Sequence, residues 1–107
     1  MQSYKINVTI RLQTIKFNGG FIMIMMYGTD LCPDCVAAKK ALEDNGIDYK
    51  YINITESLGS MKQFLKLRDT KEAFSEIRGS GTIGIPALIV SPTEITLDWM
   101  GYIRSQK

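Results

Sequence analysis

From residue 21 the chain alternates short apolar runs with stretches of helical period. Phe21–Tyr27 (FIMIMMY) is unbroken apolar sequence between Gly19-Gly20 and Gly28, the pattern of a strand buried on both faces. Pro33 falls where the first turn of a helix accepts proline, because its missing N–H would be unpaired there anyway. Val36, Ala37, Lys40, Ala41 and Leu42 continue at helical spacing, and Asn45-Gly46 ends the helix with a pair that tolerates the left-handed region. Residues 48–54 (DYKYINI) alternate Tyr49, Tyr51 and Asn53 against Lys50, Ile52 and Ile54, which predicts a second strand. Over 56–68 the apolar Leu58, Met61, Phe64 and Leu65 separate from Lys62 and Lys66, predicting a second helix. Thr70 reads as the N-cap of a third, with Ala73, Phe74 and Ile77 facing inward and Gly79-Ser80-Gly81 stopping it. ALIV (87–90) and EITLD (94–98) are strands separated by the hairpin-length Ser91-Pro92-Thr93, and a short helix over 99–105 follows. The order β-α-β-α-α-β-β-α implies a parallel pair with a right-handed crossover plus an antiparallel hairpin. The expectation is a mixed sheet with helices on its faces.

Residues 1–20 carry two readings. KINVTIRLQ (5–13) alternates strictly and would make an extra strand against the edge of the 48–54 strand. Alternatively the coding region starts later. Gly19-Gly20 matches a ribosome-binding GGAGGA a few nucleotides before a start at Met23, and Ile, Asn, Lys, Phe and Tyr are what AT-rich DNA spells when read through. In either case an N-terminal extension, 1–20, precedes a domain over 21–107.

Composition narrows the function classes. A chain of 107 residues is one domain, long enough to bury a core without a disulfide framework. The net charge of +2 and the lack of a basic block argue against nucleic acid as a partner. There is no histidine, which removes imidazole as a base, pH switch or metal ligand. The longest apolar run is far shorter than the roughly 20 residues that span a bilayer, and no signal-peptide cleavage pattern follows it. We therefore expect no membrane partner. Two cysteines without an export signal suggest a reducing compartment, and the expected location is cytoplasmic.

Both cysteines lie in TDLCPDCVAAKK (29–40), three apart. Cys32 falls at the join of a buried strand and a helix N-terminus, where unpaired N–H groups and the positive end of the helix dipole favour a thiolate. Such a thiol is both a better nucleophile near neutral pH and a better leaving group. Cys35, one turn on, is within reach of a mixed disulfide on Cys32 and is expected to be less exposed, with an ordinary or raised pKa. Asp34 opposes a neighbouring thiolate, and Lys39 and Lys40 on the same helix offset that only in part. A structural disulfide here would close too small a loop to stabilise the fold much. A zinc site needs four ligands, so a non-catalytic metal-binding module would need carboxylates or two CPDC segments across a homodimer. The redox pair is the favoured reading, with no metal and no tightly bound cofactor.

The segment YGTDLCPDCVAAKKAL resembles the active-site segment of glutaredoxins, with Cys32, Pro33, Cys35, Val36, Ala38 and Lys39 matching position by position. The resemblance extends over roughly residues 23–98 and implies a thioredoxin-like, three-layer α/β/α fold with a four-stranded mixed sheet. It implies a dithiol thiol-disulfide oxidoreductase in which Cys32 is the nucleophile and Cys35 the resolving thiol. Pro33, Asp34 and Lys39 would support the site. Gly84-Ile85-Pro86 is a second anchor. By the likeness the Ile85–Pro86 bond is cis, Pro86 packs beside the thiols, and the Ile85 backbone pairs with a bound thiol peptide. Three departures concern glutathione. Thr29 stands where the family usually has a lysine, ITLDWMG lacks the Gly-Gly turn, and Asp34 replaces the aromatic often found between the cysteines. Substrates would be disulfide-bearing proteins or small disulfides. The reductant would be glutathione as a co-substrate, or a thioredoxin-reductase-type protein. Arg68, Lys66 and Arg78 are the basic residues available to compensate for the missing lysine. Trp99 is expected to anchor the last helix in the core.

Overall fold

The computed structural model describes residues 15–17 and 20–106. The elements in chain order are β1 (Ile15–Phe17), β2 (Gly20–Ile22), β3 (Ile24–Gly28), α1 (Pro33–Asp44), β4 (Tyr49–Asn53), α2 (Leu58–Thr70), a 3₁₀ turn (Glu72–Phe74), β5 (Ala87–Ser91), β6 (Glu94–Thr96) and α3 (Trp99–Ser105). The main sheet has four strands in the order β4-β3-β5-β6. β3 and β4 are parallel, while β5 runs antiparallel to both β3 and β6. This is the expected mixed α/β architecture. The strand read over 5–13 lies outside the described residues.

The apolar run 21–27 divides into two strands. Ile24–Gly28 enters the main sheet, paired from Ile24↔Tyr49 on one side and from Met25↔Ile89 on the other. The parallel ladder stops at Ile24, which lies opposite Tyr49, the first residue of β4, and backbone polar groups need partners. Gly20–Ile22 pairs with Ile15–Phe17 instead, as a separate antiparallel ribbon.

β3 is apolar throughout because both of its faces are covered. Successive side chains point to opposite faces, so Ile24 and Met26 join Leu88 and Val90 of β5 in one core with Cys35, Ala38 and Leu42 of α1 and Ile103 of α3. Tyr27 joins Ala87, Ile54, Phe64 of α2 and Phe74 in a second core on the other face. Two aromatic contacts lie there, with Phe64 6.1 Å from Tyr27 and 5.8 Å edge-on from Phe74 between ring centres. Trp99 packs, partly buried, against the first core, as expected for an anchor of α3.

The predicted third helix is replaced by a 3₁₀ turn and a string of turns. Thr70 is the last residue of α2, its hydroxyl donating to the Lys66 carbonyl at 2.6 Å, and the N-cap role for α2 falls to Ser57, which accepts from the Ser60 N–H. Lys71 is extended and breaks the helix. Arg78 then donates through Nη1 to the carbonyls of Arg68 and Lys71, satisfying acceptors that the end of α2 leaves open. Phe74, fully buried, and this Arg78 cap tie the segment to the second core and to the end of α2.

Candidate active site around the thiol pair

Cys32 is the N-cap residue of α1, with extended backbone (φ −103°, ψ 119°) and Pro33 following as the first helical residue. The Cys32 N–H donates to the Thr29 carbonyl, and the Cys32 carbonyl accepts from the N–H groups of both Cys35 and Val36 at 3.0 and 3.1 Å. The first turn of α1 is therefore closed on Cys32, whose side chain is half-buried at the helix N-terminus. Cys35, one turn on, is fully buried beneath it. Both thiols are free. Burial pushes the Cys35 thiol up to about 12; a hydrogen bond from the Thr29 backbone opposes this, and the nearby Cys32 and Asp34 add to it. Cys35 is thus a protonated, sheltered thiol at neutral pH, as the sequence suggested. Asp34 is exposed in the first turn of the helix.

Gly28 forms the floor under Cys35. A Cβ at this position would stand 2.8 Å from Cys35 Sγ and 3.2 Å from Cys35 Cβ. The last residue of β3 therefore has to lack a side chain if α1 is to seat Cys35 against the strand. The reading of Gly28 as the boundary of an apolar run missed this role, which depends on a contact across the fold.

Lys39 does not stand alone beside the thiols. Its ammonium forms a 3.0 Å ion pair with Asp30 and lies 4.0 Å from the centre of the Tyr51 ring. The Tyr51 hydroxyl donates to the same Asp30 oxygen at 2.9 Å. These two bonds hold the Asp30 carboxyl below its ordinary range, the one from Lys39 most strongly, and burial followed by Asp30 raises the Tyr51 phenol. The cluster joins the loop before Cys32 to α1 and β4. Asp30 and Tyr51 were not singled out in the sequence because they meet only when β4 lies beside β3.

Thr29 is buried and its hydroxyl is 2.8 Å from that of Thr55. Thr55 in turn donates to Asn53 Oδ1 at 2.7 Å, so Thr29 is the donor of the pair. Thr29 also accepts from the Leu31 N–H at 3.3 Å. Beside it a groove of about 370 Å³ opens between α2 and the 81–85 loop. Of the three basic residues considered, Arg68 lines this groove, held by Nε to the Ile83 carbonyl and by Nη2 to the Thr82 carbonyl. Arg78 is turned to the helix end described above, and Lys66 is exposed on α2 and does not line the groove.

The Ile85–Pro86 bond is cis. Pro86 is buried, and Ile85, half buried, packs against both cores and shares the first with Cys32. Gly84 precedes them at φ 96°, and a Cβ there would meet Phe74 and Ile77 at 3.1 to 3.2 Å. Past the edge strand β6, at the same end of the sheet as the thiol loop and Pro86, Asp98 accepts from the Gly101 N–H at 3.0 Å and caps α3. The acidic residue after the last strand is thus engaged by its own helix. Among the described residues no three Cys, Asp or Glu side chains converge as a metal site, and no helix is long and apolar enough to cross a membrane.

Comparison with known proteins agrees with this geometry. The family model described as Glutaredoxin matches residues 24–91, from the first residue of β3 to the last of β5. An uncharacterized protein of Haemophilus influenzae is 34% identical over 74 residues, which is 69% of this chain and 86% of that protein. No solved structure matches the chain. With the matched segment holding both thiols, the cis-proline and three of the four strands of the sheet, this chain belongs to the glutaredoxin family.

Proposed function

We propose that the protein is a dithiol thiol-disulfide oxidoreductase that works through Cys32 as nucleophile and Cys35 as resolving thiol. The observation that carries the reading is the contrast within one helical turn. Cys32 is half-buried at a helix N-terminus, and Cys35 is fully buried one turn on with its proton held. In the first step the Cys32 thiolate attacks one sulfur of a substrate disulfide. A Cys32–substrate disulfide forms and the second substrate thiolate leaves. Forming that bond removes the free Cys32 sulfur, whose hydrogen bond and charge are two of the causes that keep Cys35 protonated. Cys35 then gives up its proton to the departed thiolate and attacks Cys32 Sγ, expelling as a thiolate the substrate sulfur still bound there. The substrate has gained two electrons and the protein holds a Cys32–Cys35 disulfide. An external dithiol, or two equivalents of glutathione, returns the pair to the reduced form.

Trapping tests the assignment directly. A Cys35→Ser variant incubated with a disulfide substrate is expected to accumulate a mixed disulfide on Cys32, identified by peptide mass spectrometry, whereas Cys32→Ser should accumulate none. NADPH-coupled turnover that survives in Cys32→Ser, or a mixed disulfide found on Cys35 of the wild type, would overturn the roles.

A further inference from the structure

We infer that the groove beside Cys32 recognises protein disulfides in which an aliphatic residue flanks the cysteine and an acidic residue follows, in preference to glutathione. The inference rests on the oxidoreductase reading and specifies its substrate.

The wall of the groove is apolar: Ile54, Met61, Phe64, Leu65, Ile83 and Ile85 supply most of it. Two of these residues stay open to solvent, Ile83 at 55% and Leu65 at 40% exposure, and Leu31, adjacent to Cys32, is 82% exposed. Apolar surface gathered on one side of a reactive group marks a contact site more often than a solvated face. A dry cavity of about 150 Å³ already admits benzene, so the groove of about 370 Å³ has room for a large aliphatic side chain together with its backbone. The groove adjoins the thiol, because Thr29 lines it three residues before Cys32 and Ile85 packs against the same core as Cys32.

Its polar atoms suit a peptide better than a small dicarboxylate. The hydroxyls of Thr29 and Thr55 are spent on each other and on Asn53, so the position where the family usually has a lysine offers a ligand no cation. Lys39, the nearest cation on α1 to the Asp30 loop, is already paired with Asp30. Arg68 is the one basic residue lining the groove, and among the described residues it has no carboxylate partner. Its Nε and Nη2 are fixed by backbone carbonyls, which leaves the other edge of the guanidinium for one anion. Asp34 is exposed in the first turn of α1, two residues after Cys32, and does not line the groove. An anionic group is therefore attracted at Arg68 and repelled beside Cys32. A peptide can place its single acidic side chain to suit that polarity, whereas glutathione brings two carboxylates to one available cation.

The test compares single-turnover reduction, by the full-length reduced protein, of four disulfides. These are two peptide homodimers that differ only in Leu or Gly beside the cysteine (both with Glu further on), oxidised glutathione, and bis(2-hydroxyethyl) disulfide as a small neutral substrate. Burying one aliphatic side chain predicts a rate for the Leu peptide about tenfold or more above the Gly peptide and above oxidised glutathione. Ile83→Ser and Leu65→Ser, both at solvent-exposed positions, are each expected to pull the Leu/Gly ratio down toward one. Arg68→Gln is expected to slow the Glu-containing peptides relative to their Gln analogues. A Leu/Gly ratio near one in the wild type overturns the inference. So does a ratio that both serine variants retain, or oxidised glutathione as the fastest substrate. In each of those cases, continued reduction of bis(2-hydroxyethyl) disulfide leaves the oxidoreductase reading standing. Failure to reduce any of the four overturns both.

Discussion

Gly28→Ala places a methyl group against the buried thiol and gives the sharpest test of how the site is packed. The added carbon would sit 2.8 Å from Cys35 Sγ, 3.2 Å from Cys35 Cβ and 3.3 Å from Met26 Cε. Comfortable contact between such atoms begins near 3.5 Å, so the closest approach is short by about 0.7 Å. Met26 can swing its terminal methyl aside. Cys35 cannot easily do so, because its N–H is bonded to Cys32 and its helix is wedged against β3 and α3. Overpacking of this kind costs about 1–3 kcal/mol, and for a domain of this size each kcal/mol lowers Tm by roughly 4–8 °C. Urea unfolding of reduced wild type, Gly28→Ala, Cys35→Ala and the double variant closes a thermodynamic cycle. In the double variant the 2.8 Å contact is gone, so the alanine at 28 should cost less there than in the wild type, by at least about 0.5–1 kcal/mol. Equal costs in both backgrounds, or a Gly28→Ala protein as stable as the wild type, would refute the argument that Cys35 requires a bare backbone beneath it.

Three further outcomes follow from the same structure. Phe64→Ala removes a fully buried ring that touches Tyr27 and Phe74, and chemical denaturation should show a loss of about 3–5 kcal/mol; a loss under 1 kcal/mol would mean the second core closes around the gap. In the folded protein the Cys35 thiol is held up near 12 against an ordinary 9.0. The folded state therefore keeps a proton that the unfolded chain gives up, and this contribution to stability is lost as pH rises from about 9 toward 12. Tm measured across that window should fall more steeply for the reduced wild type than for Cys35→Ala, and parallel curves would remove the thiol as the cause. Lys39→Met deletes the leading cause of the lowered Asp30 carboxyl. Its NMR titration midpoint is expected to rise toward the ordinary aspartate value while staying below it, since Tyr51 still donates; an unmoved midpoint would show that the Asp30–Lys39 pair is not formed in solution.

Most of the order of elements, and the placing of the thiol pair at a strand-to-helix join, were legible in the sequence because both are local. The apolar run before Gly28, Pro33 at the first helical position and the helical spacing of α1 predict a strand leading into a helix N-terminus. A cysteine pair placed at that join has its asymmetry set by one turn of helix. The alternation in 48–54 and the short gap before 94 likewise follow from the two-residue period of a strand. Residue periodicity did not reveal where an apolar run runs out of partners, or whether a weak helical pattern is overruled. Met23 separates two strands at the point where the parallel ladder with β4 ends, Ile24 lying opposite Tyr49, the first residue of β4. Residues 71–81 turn rather than coil because Phe74 fills the second core and Arg78 caps α2.

The sequence by itself determined that two thiols stand at the start of a helix, and the tertiary structure decided what surrounds them. Gly28 beneath Cys35, the Asp30–Lys39–Tyr51 cluster and the groove at Arg68 each join residues from elements far apart in the chain. The physical reason is one of range. Helix and strand periods, caps and the field at a helix end act over a few residues, and the sequence displays them in order. Packing contacts, ion pairs and grooves act across the few ångströms between elements, and those separations exist only once the sheet has brought β3, β4 and β5 together.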